Sequence, residues 1–147
     1  MLTPPLGRGA IARLVPHAGA MCLLDRALAW DAEGIACEAD NHRDPANPLR
    51  RGDGLPLTCG VEYALQAMAL HGALLGGGAA QPAGYLSSLR DVSLVGAARL
   101  DAVAGPLAVR ARALTAEAGG FIYRFEVEGE GRILLAGQAA IILPRPA

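Results

Sequence analysis

Apolar positions along this chain recur in two different rhythms. Over residues 55–75 the period is helical: Val61, Leu65, Met68 and Ala69 fall at i, i+4, i+7 and i+8, with Leu75 further on and alanine filling most places between. One long helix is predicted over 55–75. Thr58 is placed to cap its start, with Glu62 one turn in. Gly76, Gly77 and Gly78 end it, because glycines lower helix propensity and permit a left-handed exit. Apolar residues lie on nearly every face of this helix, so other structure must enclose it. The exceptions, Glu62 and Gln66, sit four residues apart on one side. A carboxylate on an enclosed helix is costly unless it is paired or used.

Downstream the rhythm becomes alternation, the mark of strands with one face buried. Residues 85–97 alternate around Leu86, Leu89, Val92 and Leu94. In 106–114, Leu107, Val109, Ala111 and Ala113 oppose Arg110 and Arg112. In 121–127, Phe121, Tyr123, Phe125 and Val127 share one face, and 132–143 form a last strand stopped by Pro144. Turns fall at Gly119-Gly120 and over 128–132, and 76–82 is a small-residue linker. Upstream, 9–15 predict a short helix stopped by Pro16, 21–30 a strand, 31–34 a hairpin turn and 35–39 a second strand. Residues 41–56 are polar, with three prolines and two glycines, and read as a long ordered loop of the kind that often carries function. The order is that of an α+β fold with an antiparallel sheet, in a single domain over 1–147.

Composition narrows the function classes. A chain of 147 residues that is 52% hydrophobic can build one sizeable core and is far from disordered. A net charge of −1 gives no electrostatic case for nucleic acid or an anionic membrane as partner. No apolar run approaches the roughly 18 residues of a membrane span, and 1–20 lack the continuous apolar stretch of a signal peptide. Cys22, Cys37 and Cys59 are odd in number and lack metal-site spacing, which suggests reduced thiols, a cytoplasmic location and no metal.

Two segments carry a resemblance. Leu14-Val15-Pro16-His17 followed by Met21-Cys22-Leu23-Leu24-Asp25-Arg26 closely resembles the opening of bacterial 3-hydroxyacyl-acyl-carrier-protein dehydratases. Gly60-Val61-Glu62-Tyr63-Ala64-Leu65-Gln66 resembles the helix opening of the subgroup found with aryl polyene biosynthesis. The resemblance covers nearly the whole chain. It implies the hot-dog fold, in which a curved antiparallel sheet wraps one long helix. It also implies a substrate held on the phosphopantetheine of an acyl carrier protein, with no other cofactor. The assembly it implies is a homodimer, or a heterodimer with another hot-dog subunit, whose sheets join edge to edge.

The sequence departs from the standard dehydratases at their catalytic positions. Their loop histidine is matched by Arg51-Gly52-Asp53-Gly54-Leu55-Pro56, with Asp53 near its place, and their helix acid by Gln66. His17 and Glu62 become the candidate catalytic pair, with Gly60, Val61 and Gln66 as candidate substrate-binding residues. His42, in the loop, and His71, late in the helix, weigh less. A neutral imidazole suits removal of an α-proton beside a thioester, and a carboxyl in an apolar site can protonate a departing hydroxyl. Backbone N–H groups at the helix start, near Gly60 and Val61, can stabilise charge on the thioester oxygen. Each residue has a plainer alternative: His17 and Asp53 as turn residues, Glu62 as a first-turn carboxylate favoured by the helix dipole, Gln66 as a structural hydrogen-bonding group. Arg50 and Arg51 are either a solvated pair or a contact for an acidic carrier. Two rival functions stay open, a thioesterase and a non-catalytic subunit that stabilises an active hot-dog partner.

Overall fold

The alternating segments pair into one antiparallel sheet of seven strands, in the order β1-β2-β3-β5-β6-β7-β4. The strands are β1 (Leu6–Gly7), β2 (Arg26–Trp30), β3 (Gly34–Ala39), β4 (Tyr85–Leu94), β5 (Leu107–Glu117), β6 (Gly120–Gly129) and β7 (Arg132–Ile142). Helix α1 spans Arg8–Leu14 and helix α2 spans Gly60–Leu75. This computed structural model describes residues 2–16, 19–77, 85–95, 99–117 and 119–143. His17 and most of the 76–82 linker lie outside them.

Period-two patterning sets the faces. Leu107, Val109 and Ala111 of β5, Tyr123, Phe125 and Val127 of β6, and Leu135 and Ala139 of β7 are buried, and face α2 across the sheet. On the outer face Arg110 bonds Glu126 at 2.7 Å and Glu128 at 2.6 Å. Turn chemistry holds the register. Glu130 (φ 53°) and Gly131 (φ 74°) both adopt the left-handed region, as the tight two-residue turn between β6 and β7 demands. Between β2 and β3, Asp31 Oδ1 accepts the N–H groups of Glu33 (2.8 Å) and Gly34 (3.0 Å). Those bonds to the charged form hold the Asp31 carboxyl below the usual carboxylate range.

The central helix starts later than its apolar pattern suggests. Leu55 donates its N–H to Asp101 Oδ1 at 2.7 Å and accepts from Leu100 N at 2.8 Å, and Pro56 pairs with Arg99. These bonds hold the chain extended, and a 3₁₀ turn over Leu57–Cys59 then leads into Gly60. Thr58 therefore does not cap: Cys59 occupies the cap position without a side-chain bond, and Gly60 N–H reaches the Leu57 and Thr58 carbonyls. The glycine stop is as expected, with Gly76 N–H bonded to Gly72 O and Gly77 at φ 89°. The strand expected over 21–30 forms only at Arg26–Trp30. Upstream, Leu23 and Leu24 are fully buried, and the Leu23 N–H bonds Gln66 of the helix rather than a neighbouring strand. Among the described residues no helix is long and apolar enough to cross a membrane.

Enclosure is complete on one side only. Tyr63, Ala64, Ala67, Leu70 and Ala73 are fully covered and Met68 is 3% exposed. Every residue of β4 is exposed, including Leu86, Leu89, Val92 and Leu94 on its inner face. Strand β4 is the last in the sheet, so its second backbone edge has no partner strand among the described residues.

Met68→Asp places an unpaired charge on the enclosed face. It is expected to cost more than about 3 kcal/mol and to leave little folded protein. Thermal unfolding measures this, and an unchanged melting temperature would contradict the enclosure.

Candidate active site at the start of the central helix

The first two turns of α2 carry the polar residues that organise this region. Gln66 is fully buried. Its Oε1 accepts the Leu23 N–H at 2.8 Å, and its Nε2 donates to the Met21 carbonyl at 2.6 Å. Both ends of the amide are thus held by the backbone of 21–23, and a direct bond to substrate is not the use this geometry makes of it. One turn earlier, Tyr63 donates its hydroxyl to Asn41 Oδ1 at 2.6 Å and accepts from Asn47 Nδ2 at 3.1 Å. Asn41 Nδ2 in turn donates to the Leu23 carbonyl at 3.0 Å. Burial pushes the Tyr63 hydroxyl up to about 12, so it remains a protonated donor at neutral pH. The 41–56 loop and the 21–23 segment are therefore tied to the same two turns of helix.

Glu62 lies in the first turn, half-buried, where the helix N-terminus favours a carboxylate. Gly60 is buried, and a Cβ there would meet Leu135 Cδ2 at 2.3 Å. What approaches Gly60 is thus the β7 side chain, and its lack of a side chain lets the helix start rest on the sheet. Val61 is half-buried against the core. Of the sequence candidates, the structure brings Gly60, Val61, Glu62 and Gln66 into two successive helical turns. His17 lies outside the described residues.

The other histidines are held by structural bonds. His71 is fully buried, with Nε2 at 2.8 Å from the Asp31 carbonyl and Nδ1 at 2.7 Å from the Tyr123 hydroxyl. A carbonyl only accepts, so Nε2–H donates to Asp31, and Nδ1 pairs with the Tyr123 hydroxyl. His42 Nε2 donates to the Val103 carbonyl at 2.9 Å in the same way, and its buried Nδ1 has no partner among the described residues. Asp53 is an exposed turn residue between the paired Arg51 and Gly54. The Asn41–Tyr63–Asn47 network was not anticipated from sequence. Its only signals were two asparagines in a polar loop and one tyrosine in an apolar helix.

A cavity of about 480 Å³ opens elsewhere, on the outer face of β3, β5 and β6, lined by Trp30, Gly34, Ala36, Arg110, Arg112 and Arg124 among others. Gly60, Val61, Glu62 and Gln66 take no part in it.

Residues 9–147 match the ApeP-like family, described as ApeP dehydratase. The chain belongs to the ApeP-like dehydratases. Among solved structures, the dehydratase heterocomplex ApeI:P from Xenorhabdus doucetiae matches with a TM-score of 0.79 at 21% identity, over 92% of this chain and 91% of that one. AziG from S. sahachiroi matches with a TM-score of 0.58 at 15% identity, over 82% and 90%. A hypothetical thioesterase with coenzyme A from Streptococcus pneumoniae TIGR4 matches with a TM-score of 0.58 at 10% identity, over 80% and 84%. At these identities the structures speak for the fold, and they agree that this ApeP-like chain is a hot-dog domain. No curated protein matches the chain in sequence.

Tyr63→Phe keeps the volume and removes both loop bonds. A loss of about 1–3 kcal/mol is expected, with faster proteolysis confined to the 41–56 loop. Thermal unfolding and timed digestion read the two effects, and an equally protected loop would show that the hydroxyl does not hold it.

Proposed function

We propose that this ApeP-like dehydratase removes water from 3-hydroxyacyl thioesters carried on the phosphopantetheine of an acyl carrier protein in the cytoplasm, in aryl polyene synthesis, with His17 and Glu62 as its acid–base pair. The family supports the reaction class. The observation that supports the pair is the Gln66 clamp. It ties Met21 and Leu23, which follow His17 by four and six residues, to the helical turn after Glu62. In this scheme His17 takes the α-proton and the electron pair forms the C2–C3 double bond as the C3–O bond breaks. The Glu62 carboxyl protonates the departing hydroxyl to give water, and the proton on His17 then returns to Glu62. Backbone N–H groups at the start of α2 balance charge on the thioester oxygen.

If the pair acts in this way, His17→Ala and Glu62→Gln should each lower turnover of a 3-hydroxyacyl carrier-protein substrate by about 100-fold or more. The double variant should be little worse than either single one, because the two groups serve one step. Product masses are the readout. Full activity in Glu62→Gln removes the carboxyl from the mechanism, and hydrolysis without water loss identifies a thioesterase.

The second reading, a non-catalytic partner subunit, is favoured by the fate of the standard positions. Asp53 sits in an exposed turn, and Gln66 is spent on backbone bonds. The X. doucetiae protein is described as a heterocomplex. Both readings use β4 as the joint to another hot-dog subunit, since an open edge with inward Leu86, Leu89, Val92 and Leu94 exposed is stable only when covered. Leu89→Glu should turn a dimer into a monomer in light scattering. A wild-type protein that is monomeric at micromolar concentration, alone and with a hot-dog partner, would defeat the edge-to-edge assembly.

A further inference from the structure

The strand registers place arginines in an unusual line. Gly34 of β3 pairs with Arg112 of β5, Arg112 with Arg124 of β6, Arg124 with Gln138 of β7, and Gln138 with Arg90 of β4. The row lies on the outer face, because its neighbours along each strand, such as Ala111, Phe125 and Ala139, point inward and are buried or nearly so. Arg112, Arg124 and Arg90 are all exposed.

Like charges directly opposite each other destabilise a sheet, so Arg112 facing Arg124 needs a reason. The local acids supply only part of one, an attraction through space between Asp31 and Arg112 without an ion pair. Glu126 and Glu128, on the outer face of β6, are both bound to Arg110 in the adjoining row. Asp31 and Glu33 stand at the β2–β3 turn, where Asp31 Oδ1 is held by backbone N–H groups. Among the described residues none of the three arginines of the row has an ion-pair partner. The row is therefore cationic, and its Arg112 end opens into the 480 Å³ groove, whose lining also holds Asp31, Glu33 and the Arg110-bound Glu126. Gly34 keeps that end clear: a Cβ there would meet the Ala111 carbonyl oxygen at 2.7 Å.

We propose that this row is a docking site for an acidic helix of another protein, laid across the strands on the face opposite α2, with an apolar side chain of that helix seated in the groove. The charge is complementary, and so is the spacing. Three strand separations from Arg112 to Arg90 amount to about 14 Å, the axial length of roughly ten helical residues. Carboxylates at i, i+4 and i+10 or i+11 of such a helix meet the three guanidinium groups, and Gln138 bridges the gap between two of them. Ala29 and Ala36, paired on the outer face, form a small apolar anchor point at one end of the groove. This surface does not depend on the proposed dehydration, and its test requires no turnover.

The probe is a labelled, side-chain-stapled helical peptide with glutamates on one face and a terminal leucine, titrated by fluorescence anisotropy against the full chain. The expected result is binding that weakens with added salt, falls at least tenfold in Arg112→Glu/Arg124→Glu and in Arg90→Glu, and is absent for the same peptide with lysines. Reversal of Arg124 alone creates an attractive pair with Arg112, so the melting temperature of Arg124→Glu should hold or rise. The neutral Arg124→Gln should fold normally and bind weakly. A control that changes the same charge elsewhere, Arg43→Glu/Arg132→Glu, should bind as wild type. Equal loss in that control, equal binding by the row variants, or tighter binding of a single-stranded oligonucleotide would overturn the proposal. So would a lower melting temperature in Arg124→Gln, which would make the arginines structural. A change in oligomeric state confined to the row variants would also overturn it, by identifying a second copy as the occupant.

Discussion

Helix α2 is apolar on nearly every face and must be covered over most of its circumference, and the rest of the molecule follows from that. Tyr63, Ala67, Leu70 and Ala73 on one face and Ala64, Met68 and Gly72 on the next are buried, while the stripe of Val61, Glu62, Leu65 and Ala69 is half-buried, so the helix needs a surface that curves around most of it. A twisted antiparallel sheet with one apolar face meets that need, with α1 and the segment around Leu23 and Leu24 closing the open side. Gly60 shows how close the fit is, since even a methyl group there would collide with Leu135.

Enclosing a helix creates a second problem, because polar groups on it lose water and must find partners. Gln66 and Tyr63 solve it by bonding to 21–23 and to Asn41 and Asn47. The same bonds position the loop before the helix and the chain that follows His17. Polar side chains that look like candidates for chemistry thus act as the pins that hold the candidate site in shape. His71 and Tyr123 do the same farther along, where the imidazole joins the helix to the β2–β3 turn and to β6.

The two faces of the sheet have different fates. The inner face is apolar to its end, and at β4 it runs past the helix that covers it elsewhere, leaving a surface suited to another subunit. The outer face is polar, but its charges are not evenly mixed. Arg110 is bound by Glu126 opposite it and by Glu128 one row along, whereas the row on its other side carries three arginines and no acid.

Periodicity alone was enough to determine the class of fold, the strands β5, β6 and β7 with their buried faces, and the burial of most of the central helix, though Val61, Leu65 and Ala69 of its apolar pattern stay half-buried and Leu75 is exposed. These depend on which residues avoid water, and that is written locally every two or every three to four positions. The motif Gly60-Val61-Glu62-Tyr63-Ala64-Leu65-Gln66 likewise pointed to the family. What each polar residue does was decided only in three dimensions. Gln66 looked like a residue facing substrate, yet its partners lie 43 and 45 residues earlier in the chain. The helix start moved to Gly60 because Leu55 bonds Asp101, 46 residues away. The arginine row exists only through four strand registers, none of which is visible in a single segment. Hydrogen bonds and cross-strand neighbours join residues far apart in sequence, and only the closed sheet brings them together.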